Sequence, residues 1–432
     1  MSGEASAPPA PVRLPDLAEP RFAPEVREQM RAAVAASGPV PFDADGLMEA
    51  ARERAGLDDF GEPGFRRRLA LLLEAIEAEA PPSAFGRLAL SALFAQLLES
   101  RLRLEDLVAR HPEIERVEIR GPIVIAGLQR TGTTHLHNLL SADPELQHLP
   151  YWESLEPFPR PGEPATRDAR DPRWVRTEQA LALQREAMPY FDRMHEMTVD
   201  HAHEEIQLLA MDFSTMLFEA LLPLARWRDD YLAHDQTRHY AYLKRALQAL
   251  SWIRGRRERW VLKSPQHIEQ LGPLRAVFPD ATVVLTHRDP VPVVASVATM
   301  VAYGARMHRD RMDLRALGAY WADRTERMLR VCVRERELWP ASASLDVSFR
   351  ELVADESAVV RRVYDLAGQP LAEPSRRAIE SYVAAHPRGR HGRVVYDLAE
   401  FGLAAGELRE RFAFYLEHFG LEREELPAER PG

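Results

Sequence analysis

One short stretch constrains the fold more than any other part of the 432-residue chain. Between Pro122 and Leu140 an apolar run leads into a loop bounded by Gly127 and Gly132, and helix-forming residues follow at once. Glycines let the backbone pass close to an oxyanion, and a helix N-terminus presents unpaired N–H groups and the positive end of the helix dipole. The stretch therefore predicts a strand, a loop that cradles phosphate, and a helix that begins near Gly132.

The loop has nearly the spacing of the P-loop of nucleotide-hydrolysing enzymes, whose signature is GxxxxGK[ST]. Thr133 stands where those enzymes carry lysine, and Arg130 places a cation inside the loop instead. The missing lysine removes the usual contact to the β and γ phosphates. The pattern predicts a phosphorylated nucleotide as the ligand.

Composition limits the possible partners and compartments. The formal net charge is −10, which argues against non-specific nucleic-acid binding because such binding needs surplus Lys and Arg. An anion site must then be a local basic pocket. No signal peptide or apolar run of about 18 residues is readable, and the single cysteine, Cys332, cannot form an intrachain disulfide. We expect a cytoplasmic protein with no membrane span and no nucleic-acid partner.

The period of the apolar residues changes along the chain. Residues 1–115 predict a proline-rich arm followed by helices, and residues 116–432 predict the main domain. Short β-branched runs there, most of them followed by helical segments, are typical of a parallel sheet. These runs are 117–127, 259–264, 281–288 and 343–349. We predict an α/β fold with a P-loop-like doubly wound parallel sheet flanked by helices, and a helical insertion at about 154–256 that contributes to a substrate pocket.

Three further segments carry basic residues. Lys263 ends one predicted strand, at the edge where ligands bind in parallel sheets. Arg288 ends another, and Ser296 follows eight residues later in a helix, so that a planar guanidinium and a hydroxyl can reach one anion. The segment 386–392, HPRGRHG, supplies a local basic loop. Each has an ordinary alternative: a solvated lysine, a surface or capping arginine, or a basic loop without a ligand.

Together these segments resemble the sulfotransferase family, in the bacterial branch related to the tyrosylprotein and cytosolic enzymes, whose donor is 3′-phosphoadenosine 5′-phosphosulfate. They match in the family's order from Pro122 to Gly392. The resemblance implies that the loop holds the 5′-phosphosulfate, that Lys263 touches the bridging oxygen or the transferring group, and that Arg288 and Ser296 bind the 3′-phosphate. The donor-binding residues implied are Gly127, Gln129, Arg130, Thr131, Gly132, Thr133, Thr134, Arg288, Ser296, Arg388, Gly389 and Arg390.

The chemistry of sulfuryl transfer agrees with these residues. It resembles loose phosphoryl transfer, so the protein mainly positions the groups and neutralises charge on the leaving oxygen. Arg130 and Lys263 suit that catalytic role. Sulfate carries fewer charges than a γ-phosphate, and the segment HAHEE (201–205) lacks the HExxH spacing of a zinc site, so we predict no metal.

The general base is not determined by the sequence. The attacking hydroxyl or amine must lose a proton, and the family uses either histidine or glutamate for this step. Glu153 is the first candidate, because it follows the loop's helix at roughly the family's distance. Its rivals are His203, Glu204 and Glu205, and His267 is a further candidate. A buried carboxylate or a histidine bonded to the backbone is the ordinary alternative for each.

The acceptor and the oligomeric state also stay open, and we expect a small-molecule or lipophilic acceptor. Apolar residues of the insertion either line a lipophilic pocket or belong to the core. They include Phe191, Met194, Met197, Phe213 and Phe218. Two other functions fit the pattern: a small-molecule P-loop kinase, against which Thr133 counts, and a nucleotide-binding scaffold without catalysis.

Overall fold

The protein is described here as a computed structural model, in which residues 9–387 and 389–426 are described. The strands of these residues are β1 (Ile123–Gly127), β2 (Leu146–Gln147), β3 (Leu149–Pro150), β4 (Ala202–His203), β5 (Arg259–Ser264), β6 (Thr282–His287) and β7 (Ser344–Ser348). Short 3-10 helices span Pro112–Arg116, Phe191–Arg193, Pro265–Glu269, Arg336–Leu338 and Leu398–Phe401.

The α-helices surround these strands and make up most of the regular structure. In chain order they are α1 (Pro24–Ser37), α2 (Ala44–Ala55), α3 (Gly64–Glu79), α4 (Ala84–Arg110), α5 (Thr133–Ser141), α6 (Tyr151–Leu155), α7 (Pro172–Ala187), α8 (Ile206–Ala210), α9 (Leu217–Leu221), α10 (Ala225–Ala233), α11 (Thr237–Arg254), α12 (Leu271–Val277), α13 (Pro290–Ala305), α14 (Leu314–Glu335), α15 (Phe349–Ala354), α16 (Glu356–Ala367), α17 (Glu373–Ala385), α18 (Ala405–Arg411) and α19 (Ala413–Phe419). Among the residues described, none of the helices combines the length and apolar character needed to cross a bilayer.

Five strands form one parallel sheet in the order β2-β5-β1-β6-β7, so the predicted α/β fold is confirmed. The first predicted strand is shorter than expected and begins at Ile123, because Gly121 has a φ of 45° and Pro122 has no N–H for a ladder. Edge strand β2 was not predicted, since two residues are too few to show a period. Because all five strands are parallel, their carboxyl ends meet at one edge, where Gly127 and Ser264 lie.

The sheet is covered on both faces, as a doubly wound fold requires. Alternate residues of β1 point to opposite sides. Ile123 and Ile125 pack with α5 and α16, whereas Val124 and Ala126 join the larger core. The N-terminal helices contribute to that same larger core, for example through Phe94 of α4. The proposed boundary between residues 1–115 and 116–432 stays a prediction.

The insertion between α6 and β5 is mainly helical, and it contains the short strand β4. This strand pairs antiparallel with β3, which precedes α6, with Leu149 opposite His203. This ladder places the segment 201–205 beside the carboxyl end of β5, where the backbone N–H of Lys263 donates to Glu205 at 2.9 Å. The insertion therefore brings carboxylates and imidazoles to the edge of the sheet that carries the loop.

Candidate active site

The loop between β1 and α5 is tightly built, and this explains its glycines. A Cβ atom at Gly127 would lie 2.1 Å from Thr286 Oγ1, which is closer than any real contact. Gly132 caps the helix with a φ of 92°, a conformation that glycine adopts without strain. Thr131 points into the protein, with its hydroxyl 2.6 Å from Leu128 O and 2.7 Å from Thr286 Oγ1. The loop's backbone is thus fixed by packing against β6.

Arg130 lies in the left-handed region with a φ of 69°, which is uncommon for a residue other than glycine and costs energy. Its Nε donates to Ser296 Oγ at 3.0 Å. Its Nη atoms donate to the carbonyl of Met194 and, at 3.4 Å, to the hydroxyl of Tyr396. The strained backbone therefore aims the guanidinium at the first turns of α13, where Ser296 lies.

Arg288 reaches the same place from the end of β6. Its Nη1 donates to the carbonyl oxygen of Arg130 at 2.7 Å, and its guanidinium carbon lies 4.1 Å from the centre of the Phe349 ring. Its Nε and Nη2 donate to the two carboxylate oxygens of Glu424, at 2.7 and 2.8 Å. The structure thus brings Arg130, Arg288 and Ser296 together at one edge of the sheet.

Lys263 approaches the loop from β5 and is almost fully buried, with 2% of its side chain exposed. Its Nζ lies 3.3 Å from Thr134 Oγ1 and forms an ion pair with Glu204. Glu204 is 19% exposed and compensates the buried ammonium. One end of this pair therefore contacts the loop, and the other end reaches solvent.

The loop, Glu204 and Arg288 line one cavity of about 700 Å³. Its polar lining includes Gln129, Arg130, Gly132, Thr133, Thr134, His135, His203, Glu204 and Arg288. Its apolar lining includes Phe85, Leu183, Met188, Phe191, Met197, Ile206, Met216, Leu217, Leu221, Met300 and Met307. Lys263 lies directly behind Thr134 and Glu204 rather than in the wall itself. A cavity with both kinds of lining suits a ligand that has a charged group and an apolar part.

A second cavity of about 640 Å³ lies on the other side of Arg130 and Thr134, which line both. The predicted basic loop contributes Gly389 and Arg390 to its wall. Arg390 forms an ion pair with Glu196. Arg388, the third residue expected there, lies outside the described residues. The basic loop is therefore adjacent to the P-loop-like segment, with Arg130 between the two cavities.

Comparison with known sequences decides the family. Residues 122–373 match the sequence profile of the sulfotransferase family. The chain belongs to this family. It is an enzyme that transfers a sulfuryl group, and the match spans the loop, Lys263, Arg288 and Ser296.

Relatives agree with the assignment. Omega-hydroxy-beta-dihydromenaquinone-9 sulfotransferase Stf3 of Mycobacterium bovis is 26% identical over 315 residues, which are 68% of this chain and 74% of that protein. The crystal structure of sulfotransferase STF1 from Mycobacterium tuberculosis has a TM-score of 0.76 at 30% identity, covering 86% of this chain and 98% of that one. The crystal structure of sulfotransferase STF9 from Mycobacterium avium has a TM-score of 0.79 at 26% identity, covering 88% of this chain and 98% of that one.

Glu153, the first base candidate, lies elsewhere in this sulfotransferase. Its carboxylate is fully buried, forms an ion pair with Arg254 and lines neither cavity. The Arg254 guanidinium lies 4.6 Å from the centre of the Trp260 ring. Burial alone would raise the pKa of Glu153, but the charge and hydrogen bonds of Arg254, with Arg167, bring that pKa below its ordinary value. The surroundings of Glu153 are those of a structural ion pair.

Replacing Glu153 with glutamine should therefore affect stability rather than catalysis. Removing one partner of a buried pair leaves the other uncompensated, which costs about 3–5 kcal/mol of the free energy of unfolding. A carboxylate with a depressed pKa stabilises the fold above its ordinary pKa of 4.5, and this contribution is lost as the pH falls through the depressed value. Urea unfolding at pH 7 should show the full difference, and the difference should shrink at acid pH. A folded Glu153→Gln enzyme with a greatly reduced turnover number would contradict this role.

Glu205 and His267 form a buried network beneath the cavity. Tyr240 and His267 Nδ1 are 2.7 Å apart, His267 Nε2 contacts Glu205, and Glu205 accepts the backbone N–H of Lys263. Burial would raise the pKa of Glu205, but the charge and hydrogen bond of His267 lower it overall. Neither residue lines the two cavities. The network therefore holds the backbone of Lys263 in place.

His203 lines the first cavity and also belongs to a group of three imidazoles. The ring nitrogens of His195, His201 and His203 that could serve as ligands lie within 4.8 Å of one another. Burial lowers the pKa of His203 well below its ordinary value, and the positive charge of Lys263 lowers it further. The absence of a metal requirement stays a prediction.

The apolar residues of the insertion divide into two groups. Phe191 and Met197 line the cavity. Phe213 and Phe218 stack at 5.9 Å in the core, and Met194 is buried there as well. Sequence reasoning missed Phe349 and Glu424, two of the partners of Arg288, because neither belongs to a motif.

Proposed function

We propose that this sulfotransferase transfers the sulfuryl group of 3′-phosphoadenosine 5′-phosphosulfate to the hydroxyl of a lipophilic molecule. One observation carries the proposal: the loop, Glu204 and Arg288 line a cavity that is also lined by many Met, Phe, Leu and Ile side chains. The one buried cysteine, Cys332, is compatible with the further proposal of a reducing, cytoplasmic setting.

The donor is placed by charge. Its 5′-phosphosulfate accepts hydrogen bonds from the backbone N–H groups at the start of α5, where the helix dipole favours an anion. Its 3′-phosphate binds Arg288 and Ser296, which Arg130 links to the loop. Arg390 of the basic loop, which lines the second cavity together with Arg130, provides a second contact to the 3′-phosphate. The two ends of the donor are thus bound by residues far apart in sequence.

Transfer then proceeds by in-line attack in a ternary complex. The acceptor oxygen forms a bond to sulfur while the bond from sulfur to the bridging oxygen breaks, and that oxygen leaves on adenosine 3′,5′-bisphosphate. Lys263 and Arg130 stabilise the negative charge that develops on the leaving oxygen. The acceptor's proton passes to a carboxylate on the cavity side, and the products are a sulfate ester and the bisphosphate.

Glu204 is the base that the geometry favours. Its carboxylate lines the cavity and contacts Lys263, so it lies between the acceptor space and the leaving group. When Lys263 turns to the donor's bridging oxygen, Glu204 becomes available for the proton. His203 lines the same cavity, but its strongly lowered pKa makes it a weaker base.

We infer the chemical class of the acceptor from the apolar residues that line the cavity. Five methionines contribute to that wall, and Met side chains adapt to irregular apolar ligands. The name of the Stf3 relative describes an omega-hydroxylated menaquinone derivative, which is a lipophilic alcohol. We propose an acceptor of the same general kind, with an apolar body and a hydroxyl that reaches Glu204.

Isothermal titration calorimetry tests the donor site. Replacing Arg288 with alanine should weaken the binding of adenosine 3′,5′-bisphosphate about 10- to 100-fold, because it removes a charge-assisted contact of about 1.5–3 kcal/mol. Binding of adenosine 5′-monophosphate should change little, since it has no 3′-phosphate. Equal losses for both nucleotides would contradict the placement. Tight ATP binding with magnesium-dependent phosphoryl transfer would instead support a kinase.

A further inference from the structure

Arg288 is held by a carboxylate from the chain's own C-terminal region. Glu424 binds it through two parallel hydrogen bonds, from Nε at 2.7 Å and from Nη2 at 2.8 Å. This fork is the geometry that arginine offers equally to a carboxylate and to a phosphate. Glu424 therefore presents to Arg288 the same pair of oxygens that a phosphate would present.

The remaining donors of Arg288 leave little room for a second anion. Nη1 already donates to the carbonyl oxygen of Arg130, and the Phe349 ring covers one face of the guanidinium. A phosphate on the Nε edge must replace Glu424. A phosphate on the opposite edge would bring two anions close together around one positive charge, which is unfavourable.

The segment that carries Glu424 is anchored beside α13. The backbone N–H of Glu424 donates to Asp289 Oδ2 at 2.8 Å, and Asp289 also caps α13. Arg350 forms an ion pair with Glu422 and donates to the carbonyl oxygen of Arg423 at 3.3 Å. The backbone thus stays next to Arg288 even when the Glu424 side chain moves away.

The ion pair itself is only partly buried. The side chains of Arg288 and Glu424 are 21% and 22% exposed. Pairs that retain contact with water contribute modestly to stability, so a phosphate with a higher charge can displace this one. After displacement, Glu424 lies close enough to return.

We propose that Glu424 determines donor affinity by competing with the donor's 3′-phosphate for Arg288. The inference rests on the proposed function, which places that phosphate on Arg288. Nucleotides with a 3′-phosphate must displace Glu424, whereas those with a free 3′-hydroxyl need not. Return of Glu424 to Arg288 then favours release of the bisphosphate product.

Calorimetry on the full chain tests the competition with two probes, adenosine 3′,5′-bisphosphate and adenosine 5′-monophosphate. Glu424→Gln should bind the bisphosphate about threefold to fivefold more tightly than the wild type, as expected for loss of a partly exposed charge pair. Its affinity for the monophosphate should stay within about twofold of the wild-type value. The selective gain separates competition at Arg288 from a general change in surface charge.

Glu425→Gln is the matched control, because Glu425 directly follows Glu424 in the chain and its side chain is exposed. It should leave both affinities unchanged. Unchanged bisphosphate affinity in Glu424→Gln, or an equal gain for both nucleotides, would overturn the inference. Thermal melting confirms folding, and Glu424→Ala repeats the test if the glutamine variant is unstable.

The Arg288→Ala variant distinguishes the two proposals. If it weakens bisphosphate binding while Glu424→Gln changes nothing, the donor site stands and the competition is wrong. If Arg288→Ala itself leaves the bisphosphate affinity unchanged, the placement of the 3′-phosphate is wrong.

Discussion

Replacing Lys263 with alanine should lower the turnover number about 100- to 1000-fold, the range expected when one donor to a developing oxyanion is removed. This loss is expected because Nζ of the buried lysine contacts Thr134 of the loop and Glu204, which lines the cavity. In the proposed placement of the donor, Nζ lies where negative charge develops on the bridging oxygen. Single-turnover transfer of radiolabelled sulfate to a lipophilic alcohol measures the effect.

Donor binding should change much less than turnover in this variant, because Lys263 acts on charge that appears in the transition state. The chain offers a matched control in Lys244, its only other lysine, which lies on α11 with Nζ 6.0 Å from the Phe278 ring centre. Lys244→Ala should keep the wild-type rate. A Lys263→Ala enzyme whose loss is confined to donor affinity would refute the assigned role.

Replacing Glu204 with glutamine should reduce the turnover number about 100- to 10,000-fold, which is the usual contribution of a positioned general base. Glutamine keeps the shape and can still accept a hydrogen bond from Lys263, but it cannot take a proton from the acceptor. The residual rate should rise with pH, since hydroxide then replaces the missing base. A pH profile of single-turnover rates for both enzymes measures this.

The His203→Asn variant tests whether His203, rather than its neighbour Glu204, is the general base. His203 and Glu204 both line the cavity, and we expect the histidine variant to lose far less activity. Full activity in Glu204→Gln together with a large loss in His203→Asn would assign the proton to the imidazole. Melting curves for both variants exclude unfolding as the cause.

The local parts of the fold could be predicted from the sequence. Strands β1, β5, β6 and β7 have β-branched runs long enough to show a period, and the loop's glycines mark its turn. Strands β2, β3 and β4 have two residues each and show no period. The ladder between β3 and β4 forms because long-range packing brings the segments together, so the placement of the insertion beside β5 was not readable.

The site was only partly predictable for the same reason. His203, Glu204 and Glu205 are adjacent in sequence, but the strand ends at His203, and Glu205 lies in a turn with a φ of −72° and a ψ of 3°. Glu204 thus faces the cavity, whereas Glu205 turns inward to His267. Distance along the chain does not show that Glu153 meets Arg254 of α11. Glu424 belongs to no motif, and only the fold places it on Arg288.

The most direct test of the central claim is a crystal structure with adenosine 3′,5′-bisphosphate bound. We expect its 5′-phosphate on the backbone N–H groups of residues 131–134 with Lys263 nearby, and its 3′-phosphate on Arg288 and Ser296 with Glu424 displaced. The apolar lining residues of the cavity should remain accessible to an acceptor. A bisphosphate bound away from the loop, or one that covers those apolar residues, would contradict the account.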